Sequence, residues 1–180
     1  MATTDFQVIP QTVRLNPNAA RRIHLREDLW PGVSSQLWDR KKAKGFCTIP
    51  RTLPLIMRLI DALSAKGKNA SQVYFDLWCR AFDESFVEVS DEESFAFASG
   101  FDSPGRNIRS WRERMDALKD LGFVEVAPNG SRRFGYVLIL DPHRVISKLR
   151  EKGRVPANWW GAYTKRVAET GYKLPGPLTQ

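Results

Sequence analysis

Residues 90–140 read SDEESFAFASGFDSPGRNIRSWRERMDALKDLGFVEVAPNGSRRFGYVLIL, and the boundaries inside this run decide the fold. Ser90-Asp91-Glu92-Glu93 forms a capping box: Ser90 can accept from an amide of the first turn while Glu93 reaches back to the amide of Ser90. A short helix carrying Phe95, Ala96 and Phe97 follows, and Gly100 is placed to end it in a left-handed conformation. The turn is then Phe101-Asp102-Ser103-Pro104-Gly105. Asp102 or Ser103 can cap the next helix, with Pro104 in its first turn, where a missing N–H costs nothing. That second helix is expected to reach Leu121, with Gly122 as its stop.

Ile108, Trp111, Met115, Leu118 and Leu121 recur at helical spacing and make one apolar stripe for the core. Arg106, Arg109, Ser110 and Glu113 then lie opposite, with Asn107, Arg112 and Arg114 on the flanks. Arginine and asparagine carry the paired donors and acceptors that match guanine and adenine edges in the major groove, so the first two turns suit a reading helix. The same residues also suit a solvated face with a weak Arg109–Glu113 pair one turn apart. Phe123 to Val126 alternates as a half-buried strand, Pro128-Asn129-Gly130 is a turn, and Gly135 to Leu140 is a second strand. Asn129, Ser131, Arg132 and Arg133 are thereby placed at a basic hairpin tip beside the basic helix, and adjacent cations of this kind neutralise phosphates.

The series FAFASGF, a turn, RNIRSWRERMDALKDLGFVEV and NGSRRFGYVLI resembles the winged-helix DNA-binding superfamily of bacterial regulators. The similarity lies in a reading helix that ends in leucine-glycine, a hydrophobic strand, and a basic wing closed by an aromatic. It covers roughly a third of the chain. It implies an α+β, mainly helical fold: a winged helix-turn-helix domain with a β-hairpin wing plus helical N- and C-terminal extensions. The departure is the turn Asp102–Gly105, longer than is usual in the family, which bears on where the reading helix starts and on the role of Arg106. Members of this superfamily also serve in replication initiation, RNA binding and protein assembly.

Outside this run, 180 residues with 42% hydrophobic content suffice for a proper core. A net charge of +8 and a pI near 9.8 favour an anionic partner. No apolar run approaches a membrane span, and the N-terminus has no signal-peptide layout, which leads to the expectation of a cytoplasmic protein that does not engage membrane. The charge is segmental. Between Asn69 and Gly100, Asp76, Asp83, Glu84, Glu88, Asp91, Glu92 and Glu93 face only Arg80, and the flanking segments are basic.

Residues 1–45 read as a basic N-terminal arm with short helices at Asn18–Leu29 and Val33–Lys44, Leu37 and Trp38 docking on the body. Within it Arg40, Lys41, Lys42 and Lys44 are candidate phosphate contacts or a solvated linker. Residues 46–152 are expected to form the winged-helix domain. Its first helix carries Leu55, Ile56, Leu59, Ile60 and Leu63 and ends at Lys66-Gly67. The next is capped by Asn69 or Ser71, with an apolar face of Val73, Tyr74, Leu77, Trp78, Ala81 and Phe82. Phe86 to Val89 is expected as a short strand, and the winged-helix resemblance implies that it pairs with the hairpin. Asp141-Pro142 opens a helix carrying Val145, Ile146 and Leu149. Residues 153–180 hold a last helix from Ala157 to Thr170, whose Trp159, Trp160, Tyr163 and Val167 anchor it by packing rather than by stacking on bases. The tail from Leu174 through Pro177 is expected to fray.

Catalysis has little support. His24 and His143 stand in no ligand or triad spacing, and no phosphate-cradling glycine loop is present. Cys47 and Cys79 read as small buried hydrophobes. The acidic group from Asp83 to Glu93 is explained by capping and a solvated rim without a metal. The chain is therefore expected to have no catalytic residues, no cofactor and no metal, and to bind double-stranded DNA in control of transcription or maintenance of a plasmid or mobile element. Arg106, Asn107, Arg109 and Ser110 would approach the major groove, Arg112 and Arg114 the backbone, and Asn129, Ser131, Arg132 and Arg133 would act from the wing. The alternatives are a subunit of a nucleoprotein or defence assembly that contacts RNA or protein, and a plasmid replication initiator, which would need a homodimer or a second winged helix.

Overall fold

Gly100 and Gly122 close the two central helices as their sequence context predicts. Helix α4 spans Glu92–Ala98 and α5 spans Asn107–Leu121. After each, the glycine sits at positive φ, +84° and +81°, and the next residue's amide returns to the helix: Phe101 N to the Ala96 carbonyl at 2.9 Å, Phe123 N to that of Leu118 at 3.0 Å. An L side chain is strained at such φ values, so glycine is the natural occupant. The structure is a computed structural model and describes residues 16–174. The opening of the N-terminal arm and the Pro175–Pro177 part of the expected fraying tail lie outside the described residues.

Both helix starts differ from the expectation. Asp91, not Ser90, caps α4, its carboxylate accepting from Glu93 N and Ser94 N at 3.1 and 3.3 Å. Two carboxylate oxygens satisfy two orphan amides where a serine hydroxyl satisfies one. Before α5, neither Asp102 nor Ser103 caps with its side chain; the Ser103 carbonyl accepts from Arg106 N and Asn107 N, both at 3.1 Å. Gly105 at φ +76° interrupts the helical path. Pro104 therefore belongs to the preceding turn, and Arg106 is the N-cap.

The sheet is antiparallel and three-stranded, in the order β1-β3-β2, from β1 Phe86–Glu88, β2 Val124–Asn129 and β3 Arg132–Ile139. As expected, β1 pairs with the hairpin, Val87 facing Val137. The hairpin is longer than its sequence suggested. Asn129 pairs with Arg132, so Arg132 and Arg133 lie in a strand and the tip is Gly130-Ser131 alone. A two-residue loop with glycine at φ +60° carries the strand twist directly. Pro128, which has no amide to donate, sits where the register shifts between Ala127 and Asn129. Gly135 faces this irregularity, and a Cβ on it would stand 2.2 Å from Asn129 Cβ.

Helix α2, Leu53–Leu63, buries Leu53, Ile56, Leu59 and Ile60; α3, Ser71–Arg80, buries Val73, Tyr74 and Leu77. The start of α3 is satisfied from α2 rather than by Asn69 or Ser71 alone: Asp61 accepts from Ser71 N at 3.0 Å and from Ser71 Oγ at 2.7 Å. Phe82 falls beyond the helix and is 82% exposed, so the apolar face ends before it. Helix α6, Pro142–Glu151, starts from Asp141, whose carboxylate accepts from His143 N at 2.9 Å. Helix α7, Ala157–Thr170, buries Trp159, Tyr163 and Val167 in the same core as α2 and α5. Trp159 Nε1 donates to the Leu55 carbonyl at 2.8 Å, which fixes its tryptophan by packing and polar anchoring together.

The cysteines are less buried than expected: Cys79 is exposed and Cys47 intermediate. Partial burial of the sulfur, and then Cys47 beside it, pushes the Cys79 thiol up to about 11.

The chain divides into two units, 1–45 and 46–180. In the first, α1 spans Pro17–Leu29, capped by the Asn16 side chain. Val33–Gln36 is a 3-10 turn, and no helix continues to Lys44; Leu37 adopts extended backbone and both Leu37 and Trp38 are exposed. Asp39 holds the next turn, its carboxylate accepting from Lys41 N at 2.9 Å and its carbonyl from Lys42 N and Ala43 N. Such Asx turns compete with helix, which explains the break.

Candidate nucleic-acid interface

Helix α5 is fixed by its buried face. Trp111, Met115 and Leu118 are fully enclosed, and the Trp111 ring meets Phe95 of α4 and Phe134 of β3 edge-on at 5.9 and 5.7 Å. With the stripe committed, the helical period turns Arg106 and Arg109 outward. Arg109 is 83% exposed, with one long contact to Glu113 at 3.4 Å. Arg106 is exposed and its side chain has no hydrogen bond or ion pair among the described residues. Asn107 and Ser110 are partly covered.

The remaining arginines serve the fold as well. Arg112 binds the Glu92 carboxylate of α4 through Nε, at 3.1 Å to each oxygen, and through Nη2. Arg114 is only 13% exposed; it donates to the Gly67 carbonyl at 3.0 Å and lies over the Phe101 ring at 5.1 Å. Its guanidinium therefore braces α5 against the loop between α2 and α3 and the turn before α5. Arg133 grips both Asp116 oxygens on α5 at 2.5 and 3.1 Å, and Arg132 Nη1 donates to the Ser90 carbonyl. The hairpin is thus tied to the helix and to the residue just before the α4 cap. Asn129 is half-buried in its strand pair, and Ser131 is exposed at the tip. Arg40, Lys41, Lys42 and Lys44 are all exposed around the Asp39 turn of the first unit.

Three partners, Lys68, Glu92 and Asp116, were not visible as site residues in the sequence, whereas the Arg109–Glu113 pair was. Lys68 reaches Glu113 at 3.1 Å and adds a cation beside Arg109. Lys68, and then Arg109, hold the Glu113 carboxyl below the usual carboxylate range. Asp116 and Glu92 neutralise Arg133 and Arg112. The helical period located Glu113 on the outer face, but no sequence pattern ties it to Lys68, or Asp116 to Arg133, because these pairs span 45 and 17 positions. The surface around the head of α5 therefore carries Lys68, Arg109 and Arg114 about Glu113, with Arg106 exposed at the N-cap. It offers guanidinium and ammonium donors to an anion. The acidic run is used locally: Asp91 caps and Glu92 pairs. Among the described residues no helix is long and apolar enough to cross a membrane.

Comparison of this chain with protein-family models, with characterised proteins and with solved structures gives no match.

Proposed function

We propose that residues 46–174 form a winged helix-turn-helix that binds double-stranded DNA, with α4 and α5 as the helix-turn-helix and β2–β3 as the wing. The observation that carries this reading is the state of α5: its apolar stripe from Trp111 to Leu121 is buried while Arg106 and Arg109 at its head stay uncovered, and the hairpin is strapped to the same helix through Arg133 and Asp116. The succession α3-β1-α4-α5-β2-β3 and the strand order β1-β3-β2 support it.

In this reading Arg106, Asn107, Arg109 and Ser110 approach base edges in the major groove. Lys68 and Arg112 lie nearer the phosphates, Arg114 holds the helix in register, and Ser131, Arg132 and Arg133 follow the backbone beside the wing. Arg40, Lys41, Lys42 and Lys44 supply further phosphate contacts from the first unit. The protein acts in the bacterial cytoplasm without chemistry or cofactor, to regulate transcription or maintain a mobile element, and a homodimer would read a two-fold site. A salt titration of binding to duplex DNA, single-stranded DNA and duplex RNA tests this. Preference for duplex DNA with a steep salt slope, lost in Arg106→Ala/Arg109→Ala, supports it; indifference of the variant, or preference for RNA, removes it.

A further inference from the structure

On the second unit, a cleft of about 610 Å³ opens between the start of α2, the start of α6 and the end of α7. This volume suits a small molecule. Flat apolar groups form much of its wall: the Trp78 and Tyr172 rings and the pyrrolidines of Pro50 and Pro142. Tyr172 is held in place by stacking on His143, with centroids 4.1 Å apart. Thr52, His143 and Arg51 on this wall each keep a donor with no hydrogen-bond partner among the described residues.

The first is Thr52, which is 2% exposed. It occupies the N-cap position of α2, where a threonine hydroxyl would ordinarily accept from an amide of the first turn. Here the hydroxyl makes no capping bond, and Oγ1 is buried without a hydrogen-bond partner among the described residues. Oγ1 has almost no accessible surface, so an acceptor in the cleft reaches it only when the start of α2 opens slightly, and pairing it there removes the cost of an unpaired buried hydroxyl. The second is His143, whose Nδ1 stands 2.5 Å from the Tyr163 hydroxyl. Burial pushes the Tyr163 pKa up and lowers that of His143, so Tyr163 keeps its proton and donates it to a neutral imidazole. The imidazole proton is then on Nε2, which makes no hydrogen bond among the described residues.

The third is Arg51, whose guanidinium has no partner among the described residues; only its carbonyl is used, by Arg166 Nε at 3.4 Å. The acid on the wall, Asp141, is already engaged by His143 N at 2.9 Å and Arg144 at 3.5 Å. The uncommitted charge of the cleft is therefore positive, and its free groups can all donate.

We propose that the cleft bounded by Thr52, His143 and Tyr172 binds a small planar aromatic carboxylate, its ring between Trp78 and Tyr172 and its carboxylate taken by Thr52 and Arg51.

The test is calorimetric titration of the full chain with 2-naphthoate, and with 2-naphthamide and cyclohexanecarboxylate as neutral and non-planar probes. Saturable binding of 2-naphthoate alone is expected, weakened about tenfold in Arg51→Gln and in Thr52→Val, and retained in Thr52→Ser. Thr52→Val removes an unpaired hydroxyl at nearly constant volume, so its unliganded unfolding midpoint is expected to match or exceed the parent's, which separates loss of binding from loss of fold. Absence of saturable binding, equal affinity for the amide or the saturated ring, or unchanged affinity in both Arg51→Gln and Thr52→Val would overturn the proposal.

Discussion

Arg112 on α5 reaches across to α4 and holds the Glu92 carboxylate, a side chain 7% exposed, through Nε at 3.1 Å to both oxygens and through Nη2. A planar guanidinium on a planar carboxylate thereby bridges the two central helices beside the Phe95–Trp111 contact, a geometry for which arginine is better suited than lysine. Because Glu92 is enclosed and Arg112 is half exposed, the two ends of the pair respond differently to substitution.

Removing Arg112 leaves a buried carboxylate without its partner. Arg112→Ala is expected to cost roughly 2 kcal/mol, since stranding a buried charged acceptor loses its full desolvation. Adding Glu92→Gln to it should recover part of the loss. Urea denaturation of the single and double variants measures this; an Arg112→Ala midpoint equal to the parent's would show that the pair does not stabilise the helix packing.

Gly135 is required by contact rather than by φ. Gly135→Ala places its methyl carbon 2.2 Å from Asn129 Cβ, opposite the register shift in β2. Relieving the clash must separate the strands, at about 1–3 kcal/mol, typical of overpacking. Faster amide exchange along 124–137 with little change in α2 is the expected signature. Uniform destabilisation without local opening would point away from the hairpin.

Under the DNA-binding proposal, Arg109→Ala relaxes sequence preference, whereas Arg132→Ala/Arg133→Ala weakens binding to all sequences and lowers the salt slope by about two. Equal losses on every sequence from both changes would remove the assigned division between base and phosphate contacts. Fluorescence anisotropy at several salt concentrations distinguishes the outcomes.

His143 makes the fold sensitive to mild acid. Burial lowers its pKa from the ordinary 6.5, against a weaker opposing effect of Asp141. The unfolded chain then binds more protons than the folded one below about 6.5, so the stability from a neutral His143 is complete above that pH and falls as pH drops through this window. The loss is limited to about 1.4 kcal/mol per pH unit. Urea midpoints should fall from pH 7 to 5.5 in the parent and less in His143→Gln. Parallel curves would show that His143 is not the titrating group.

Much of the helical layout is legible in the sequence because apolar spacing and glycine stops are local signals. Trp111, Met115, Leu118 and Leu121 define the buried side of α5, and Gly122 ends it, whatever lies across the core. The packing of Trp159 is also readable, since an aromatic helical face is written in a short window, whereas the pairing of β1 with the hairpin follows only from the resemblance to winged-helix proteins. Starts are less legible than stops: Ser90 and Asp91 both carry capping oxygens, and the choice depends on where the backbone turns extended.

What the tertiary structure decided is which charges are left over. The sequence presents Arg106, Arg109, Arg112, Arg114, Arg132 and Arg133 as one basic group. In the folded chain Arg112 holds Glu92, Arg114 the Gly67 carbonyl, Arg132 the Ser90 carbonyl and Arg133 Asp116, while Arg106 and Arg109 stay largely free and Lys68 joins Arg109 beside Glu113. These partners lie up to 47 positions apart. Short-range periodicity fixes the direction of a side chain from its own helix, but an ion pair also needs the position of the partner's backbone, which is determined only when the shared core of α2, α5, β3 and α7 packs.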